Sequence, residues 1–554
     1  MNKKVCSFPI LFALLALVIG TCAVVFPASA QAAPTSTGSI TVSGTVASSY
    51  DAYQIFDANV IDGDNDAKIA TDLAWASDAA RDAVLPVLHS AGMPKSQTTA
   101  QEAAEWLNAD SHLTSALSAQ LARSLQSSGA VSVALNAGKT AELPCGYWLI
   151  VADDEAIAQN EAGTAPIMAL VGGSAVTVKP KAATPKVSKH VLEDSTAAWQ
   201  KAADATVTDD LYWRLSATVP AGLTAYDTYT VQFVDTMSAG LDPSKVAVSM
   251  RVYVAAGADG GFDAVSGDKD GRAGIEPAKG WTDITAQCRV SADGKTFTVR
   301  TGDLIAALGG ADAFTAGARV VAVYNAPLNS ACNHGIAKGN PNEVYLCYPR
   351  SPFADQSGDA GFTRTPSDDA CAYTWDLALT KRGSDGDKPL AGAVLSIADD
   401  RGRTLAADGT WDAEGKATVT TGEDGRVTVS GVDSGKLEVR ELKAPKGYTA
   451  FEGTRSVKVK AEGLDVDQVV AAKPKLTITA ESPLRADSAD GSTGSLEASL
   501  INTPTGTPPS ITTGGFMPLT GDMAMYAVAA AAVAGAALIV VALLIKRGGG
   551  SHKE

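Results

Sequence analysis

From Ser39 to Asn502 the chain alternates apolar and polar residues at every second position in most of its stretches, as in Ile40-x-Val42, Tyr53-x-Ile55, Thr296–Arg300 and Arg319–Tyr324. A period of two is that of a strand with one buried face, so the expected fold is mostly β. One region departs from it. Between about Thr71 and Ser127 the chain turns Ala-rich, with apolar residues at helical spacing: Trp75, Ala79, Ala83, and later Ala104, Leu107, Leu113, Leu117, Leu121 and Leu125. Strands resume at Val131, at Gly146–Val151 and at Ala175–Val178; residues 185–370 are strand-like throughout, with further strands expected at Tyr229–Phe233 and Val246–Val254 and a Gly/Asp-rich loop near 256–275. Short strands with turn residues at intervals point to immunoglobulin-like β-sandwiches in a row, a rod whose first module carries a helical insertion. The 554 residues are enough for three or four such units at roughly 150 residues each.

The two ends define the compartment. Met1-Asn-Lys-Lys, an apolar stretch from Phe8 to Phe26 and the small residues Ala28-Ser29-Ala30 read as a secretory signal over residues 1–30, cleaved after Ala30 or Ala33. At the other end, Met523 to Ile545 is 23 apolar residues long, about 34 Å as a helix and enough to cross a bilayer. Lys546 and Arg547 follow it and hold that end in the cytoplasm, so everything before Met523 lies outside. Ahead of the span, within residues 504–521, a Thr/Pro/Gly-rich stretch leads to Met517-Pro518-Leu519-Thr520-Gly521. A Pro-x-Thr-Gly motif, an apolar span and a basic tail together resemble the sortase sorting signal of Gram-positive surface proteins, whose first motif residue is Leu. Met517 is unbranched and fills a Leu-sized apolar pocket, so its presence tunes the choice of sortase. The resemblance implies cleavage between Thr520 and Gly521, with the Thr520 carbonyl passed to an amine.

The composition removes other classes. A net charge of −16 disfavours nucleic acid, whose phosphates are held mainly by Lys and Arg. With 19% charged and 45% hydrophobic residues, the chain is also not disordered. An enzyme finds little material. His89 and His112 fall in the helical insertion, His190 begins the second module, His334 lies in a loop and His552 in the tail, and none pairs with a Ser or Cys in a nucleophile motif or has zinc spacing. Asp62-x-Asp64-x-Asp66 starts like a calcium loop, but Ala67 replaces the turning Gly and Leu73 stands where the Glu is required, which leaves a solvated turn. No metal and no cofactor are expected.

The constellation that stands out is an early Lys, a middle carboxylate and a late Asn, and it occurs twice. One set is Lys381, Glu441 in Leu437-Glu-Val-Arg-Glu441-Leu-Lys-Ala-Pro-Lys-Gly-Tyr448, and Asn502 in Leu500-Ile-Asn502-Thr-Pro504. The other is Lys189, Asp235, and an Asn of Gly339-Asn-Pro-Asn-Glu-Val-Tyr-Leu346, where Asn342 shares inward parity with Val344 and Leu346 and Asn340 is the alternative. These stretches resemble the isopeptide-forming domains of sortase-assembled pilins, the Cna B-type arrangement for residues 371–503 and the Cna A-type for 185–370. The chemistry suits the residue types. A buried Lys loses hydration and becomes a neutral, nucleophilic amine, and a buried carboxyl is driven to its protonated form and can polarise the Asn amide and shuttle protons. Packing supplies the effective concentration, ammonia leaves, and a Lys–Asn amide joins first strand to last. The first module, residues 34–178, weakly repeats the third, Gly146-Tyr-Trp-Leu-Ile-Val against Gly435-Lys-Leu-Glu-Val-Arg, but has Ala152 where the repeat would place Glu441; no such bond is expected there.

At the junction of the first two modules, Val176-Thr-Val178-Lys179-Pro180-Lys181 resembles the pilin motif Val-x-Val-Tyr-Pro-Lys, with Lys179 in the Tyr place. The resemblance implies that Lys181 is the amine joined by a pilin sortase to Thr520 of the next subunit. Of the five Cys left after signal removal, Cys288, Cys332, Cys347 and Cys371 fall in or at the end of the second module, where an exported chain permits disulfides in any of three pairings, and Cys145 is alone. The expected protein is therefore the shaft subunit of a covalent pilus that supports adhesion. It is secreted to the cell wall and transiently held by residues 522–554. Its expected partners are pilus-specific and housekeeping sortases, identical pilin subunits and peptidoglycan, with room for a host surface ligand and no enzymatic activity of its own. A monomeric wall-anchored adhesin or minor pilin is the alternative.

Overall fold

The computed structural model describes residues 36–64, 67–109, 112–180, 184–221, 223–257, 277, 280–469 and 472–506. It is mostly β, built as three two-sheet sandwiches. The expected signal, the Gly/Asp-rich loop for the most part, Lys181, the Met517–Gly521 motif and the Met523–Ile545 span lie outside those residues. Among the described residues no helix is long and apolar enough to cross a membrane.

In the first sandwich, Lys68–Trp75, Ser49–Asp62, Gly146–Ala152 and Ile167–Val171 form one sheet, with Ser132–Asn136 also paired to Ser49–Asp62; Thr140–Pro144, Thr37–Val42 and Val176–Val178 form the other. Both faces of the larger sheet are covered. Ile40, Tyr50, Trp148 and Ile150 pack between the sheets, while Tyr53, Ile55, Leu149 and Val151 pack against Val84, Leu88, Leu121 and Leu125 of the helices. Burial on both faces explains why Gly146–Ala152 is an unbroken apolar run where most strands alternate.

The helical insertion consists of Asp78–Ser90, Ala100–Asn108 and Ser115–Ser127. Each begins at a hydroxyl that accepts an otherwise unpaired amide: Ser77 from Ala80, Thr99 from Glu102 in a full capping box, and Thr114 from Leu117. The helical reading of Thr71–Trp75 is corrected. Those residues end the strand Lys68–Trp75, whose ladder sets Asn59 opposite Thr71 and Phe56 opposite Trp75, and the first helix starts only beyond the Ser77 cap.

The second sandwich faces a six-stranded sheet, in the order Ala198–Gln200, Val187–Glu193, Tyr212–Thr218, Arg319–Asn325, Arg251–Ala255, Thr282–Asp283, with a seven-stranded one. The second runs Ala202–Asp204, Asp368–Tyr373, Asn340–Pro349, Gln232–Met237, Thr296–Arg300, Arg289–Asp293, with Phe362–Arg364 paired to Asn340–Pro349. Two strand expectations are corrected. Val246–Ser249 is a helical turn, set up by Pro243 at the start of the preceding 3-10 turn and held by the Ser249 hydroxyl on the Lys245 carbonyl (2.6 Å), so only Arg251–Ala255 is strand. Tyr229–Val231 precedes the ladder, which begins at Gln232.

In the third sandwich, Arg426–Val432, Trp375–Gly383, Ser495–Pro504 and Tyr448–Thr449, with Leu484–Asp490, face the sheet built on Val394–Ala398, Gly435–Lys443, Thr454–Glu462 and Lys475–Ala480. Its first and last long strands, Trp375–Gly383 and Ser495–Pro504, are parallel neighbours.

Only Thr374 separates the last strand of the second sandwich from the first strand of the third, and the two units share a buried junction. Trp375 Nε1, the Ser434 amide and the Ser434 hydroxyl all donate to Asp204 Oδ2 at 2.7 Å. Glu193 takes the Asp204 amide at 3.1 Å, and Val207 packs onto Gly431, whose positive φ of 70° and close approach leave no room for a side chain. Asp194, Asp433 and Asp400 bring further negative charge and Arg401 the facing cation. Burial, with Asp204 beside it, pushes the Glu193 carboxyl up to about 8.

A raised folded pKa stabilises below the unfolded value of 4.5 and loses that stability as pH climbs through the folded one. Thermal stability is therefore expected to fall from pH 5 to pH 8, with Glu193 contributing at most about 1.4 kcal/mol per pH unit beside the raised Asp194, Asp204 and Asp433, and Glu193→Gln to lower that slope. A wild-type slope retained in the variant would refute the assignment.

Candidate functional site

Lys189 sits on the strand Val187–Glu193 opposite Leu215, and Tyr324 on the strand Arg319–Asn325 of the same sheet. Asp235 and Asn342 come from the facing sheet, on strands paired so that Asp235 lies opposite Val344 and Met237 opposite Asn342. Alternation turns all four side chains inward, and each is 0% exposed. Lys189 Nζ contacts Asp235 Oδ2 and the Tyr324 hydroxyl at 2.9 Å. That hydroxyl donates to Asp235 Oδ2 at 3.0 Å and accepts from Asn342 Nδ2 at 2.8 Å.

Burial pulls the Lys189 amine down to about 8, against the pull of Asp235, and burial likewise raises the Asp235 carboxyl. Both shifts favour the uncharged pair, a free amine beside a carboxylic acid. Asp235 Oδ1 and Asn342 Oδ1 are buried without a hydrogen-bond partner among the described residues.

The inward parity that singles out Asn342 holds equally for Asn340, since both are fully buried. Their partners separate them. Asn340 accepts from the Asn333 amide at 2.8 Å and donates to the Asn333 and Ala372 carbonyls at 2.9 and 3.2 Å, which ties down the preceding loop; Asn342 alone reaches the Tyr324 hydroxyl of the Lys189 group.

In the third sandwich, Lys381 and Asn502 lie on the parallel neighbours, Lys381 opposite Leu500 and Gly383 opposite Asn502. Residues two apart on a strand share a face, so the two side chains meet diagonally. Glu441 reaches them from the facing strand Gly435–Lys443. Its Oε1 accepts from Asn502 Nδ2 at 2.8 Å and lies 3.6 Å from Lys381 Nζ, while its Oε2 takes the Phe451 amide at 3.1 Å. Lys381 Nζ also donates to the Leu500 carbonyl at 3.2 Å, and burial draws the amine down to about 8. Asn502 Oδ1 is buried without a partner among the described residues.

Sequence reasoning missed two members of these surroundings. Tyr324 could have been found by the alternation that turns Val320, Ala322 and Tyr324 inward. Lys201, also buried, holds the Lys189 strand in place by donating to the Lys189 carbonyl at 2.8 Å and pairing with Asp368. The first sandwich buries a lysine too. Lys68 donates to the Gly172 and Ser174 carbonyls (2.5 and 2.7 Å) and to Asp62 (3.2 Å), with no Asn side chain among these partners. Asp62 is engaged there and by Ser174, and Gly63 closes the hairpin onto Ala67, so Asp62 serves the turn. Ala152 ends its strand without a carboxylate.

Cys145, Cys288, Cys332, Cys347 and Cys371 are free thiols. Cys371 lies opposite Pro341, six residues along the strand from Cys347, about 20 Å. Cys288 adjoins Arg289, which is three strand spacings from Cys347 across Arg300 and Gln232, about 14 Å. Neither gap fits the Cα separation a disulfide spans. Burial also holds the thiols of Cys288, Cys332, Cys347 and Cys371 up at about 11, away from the thiolate that oxidation requires.

Residues 376–473 match a family model described as the SpaA prealbumin-like fold domain. The chain is 31% identical over 134 residues to the trypsin-resistant surface T6 protein of Streptococcus pyogenes serotype M6, a match spanning 23% of this chain and 23% of that protein. Among solved structures it resembles the T6 backbone pilin of serotype M6 Streptococcus pyogenes, at 16% identity and a TM-score of 0.46, over 85% of this chain and 98% of that one. It also resembles the full-length major pilin SpaD of Corynebacterium diphtheriae, at 16% identity and a TM-score of 0.41, over the same shares of each.

Proposed function

We propose that this chain is the shaft subunit of a surface pilus of a Gram-positive bacterium, stapled internally by Lys189–Asn342 and Lys381–Asn502 amides and joined to its neighbours by sortase between Thr520 and Lys181. The observation that carries the reading is the pair of buried Lys–carboxyl–Asn groups, each of which holds an amine and a carboxamide around a carboxyl in a site closed to water. Nothing in an ordinary sandwich core calls for such a group, because a buried ionisable pair is often less stabilising than the apolar residues it displaces. Two of them in successive sandwiches are explained if each is spent on making a bond.

In each, the neutral amine attacks the Asn side-chain carbonyl, the carboxyl carries the proton, and ammonia departs. Asp235 serves the second sandwich and Glu441 the third. The three folding units are 34–178, 185–373 and 375–504, the second–third boundary falling at Thr374 rather than between 370 and 371 because the strand Asp368–Tyr373 pairs in the second sandwich; the second is of the Cna A type and the third of the Cna B type. The relative named for its resistance to trypsin and its place on the surface agrees with a stapled, exported chain. The secreted subunit acts as a substrate of sortases and catalyses nothing in trans; its partners are identical subunits and, at the base, peptidoglycan.

The test is Lys181→Ala in the native host. High-molecular-weight ladders of cell-wall extracts are expected to collapse to a single wall-anchored band, and ladders that persist would replace Lys181 with another amine, Lys179 being the nearest. Intact mass of residues 31–520 produced as a soluble secreted chain, free of wall fragments, is expected to fall short of its sequence mass by two ammonias.

A further inference from the structure

We infer that Tyr324 is a catalytic residue of the second sandwich, the proton carrier between Asp235 and the departing amide nitrogen of Asn342; this rests on the cross-linking reading above. The two sites differ in one respect. In the third sandwich Glu441 touches the Asn502 nitrogen directly, at 2.8 Å, with the same Oε1 that faces Lys381. One carboxyl oxygen there can take a proton from the amine and hand it to the leaving group. In the second sandwich Asp235 is one methylene shorter, and Asn342 Nδ2 bonds to the Tyr324 hydroxyl. That hydroxyl is the atom common to all three groups, 2.9 Å from Lys189 Nζ, 3.0 Å from Asp235 Oδ2 and 2.8 Å from Asn342 Nδ2.

The step balances through that atom. Lys189 Nζ attacks Asn342 Cγ, forming the new N–C bond and leaving one excess proton on Nζ and negative charge on Oδ1. Asp235 takes the proton from Nζ and passes one to the Tyr324 oxygen, while the Tyr324 hydroxyl proton moves to Nδ2. The Cγ–Nδ2 bond then breaks, the carbonyl re-forms, and ammonia leaves. One proton has crossed from Nζ to Nδ2, and Asp235 and Tyr324 return to their starting states.

The ring is fixed for this task. Phe297 packs edge-on against it at 4.8 Å between centroids, its own face lies 5.4 Å from Lys189 Nζ, and the side chain is fully buried. A tyrosine chosen only to fill space would leave a buried hydroxyl to be satisfied, which Phe avoids.

The experiment follows cell-free synthesis of the full chain, quenched at intervals, digested, and analysed by mass spectrometry for the Lys189–Asn342 and Lys381–Asn502 linked peptides. Tyr324→Phe is expected to slow the first link about a hundredfold and to leave the second at its wild-type rate, while the fluorescence of the buried Trp213 reports that the second sandwich folds. Tyr324→3-fluorotyrosine, nearly the same in shape but with a more acidic phenol, is expected to speed the first link, whereas a packing role predicts no change. It decides the matter if the Phe variant does not fold. A first link formed at the wild-type rate in Tyr324→Phe overturns the inference. A wild-type chain that forms no Lys189–Asn342 link overturns the reading beneath it.

Discussion

Replacing Asp235 by Ala is expected to produce the least stable of the single variants in the second sandwich, less stable than Lys189→Met although both abolish the same link. The shared loss is the staple. Closing the 153 residues between positions 189 and 342 (342 − 189) contributes about 5 kcal/mol in the chain-entropy model of a cross-link. The difference is what stays behind in the core. Lys189→Met removes the amine and leaves Asp235 as a carboxyl already pushed by burial toward its neutral form. Asp235→Ala leaves a fully buried amine that has lost the carboxyl it contacts and keeps the Tyr324 hydroxyl. Leaving a buried polar group short of a hydrogen-bond partner costs about 1–3 kcal/mol, so the Ala variant is expected to be the less stable by about that amount. Denaturant unfolding read by the buried Trp213 measures it, with the Lys381–Asn502 link monitored by mass as a control. Equal stability of the two variants would mean that Lys189 is not held by Asp235.

The residues of both sites are legible in the sequence because their chemistry is rare in strands: a Lys at an inward position is conspicuous among Val and Leu, and so is a carboxylate two residues from Val439. The part that stays hidden is what only three-dimensional contact creates. Tyr324 sits on an ordinary apolar strand, 18 residues before Asn342 and 89 after Asp235, and nothing local marks its hydroxyl as shared. Glu193, Asp204 and Asp433 are each unremarkable acids in the chain, and only the docking of two sandwiches turns them into a buried cluster. Local errors have local causes. The Trp75, Ala79, Ala83 spacing runs a helical period backwards through the Ser77 cap into a strand, and the Val246-x-Val248 alternation is overridden by the turn that Pro243 begins, leaving Val248 77% exposed.

Under tension, Asn502→Ala is expected to turn an inextensible third sandwich into one that lengthens by about 420 Å. The number follows from geometry: 121 residues separate Lys381 from Asn502 (502 − 381), and an extended chain spans about 3.5 Å per residue. In a pilus linked through Lys181 and Thr520, force enters this module at the strand Trp375–Gly383 and leaves by Ser495–Pro504. Those strands are parallel neighbours, so the load shears them along their length and engages several ladder hydrogen bonds together. Hydrogen bonds alone would still give way at some force. With Lys381 bonded to Asn502 the load crosses between adjacent strands through an amide, and the whole facing sheet, with every residue between the two positions, is left outside the force path. Single-molecule pulling on the full chain held at its two ends distinguishes the cases: the wild type is expected to show no length step from this module and Asn502→Ala one step of the stated size. A wild-type trace with the same step would mean that the amine and the carboxamide meet in the core without reacting.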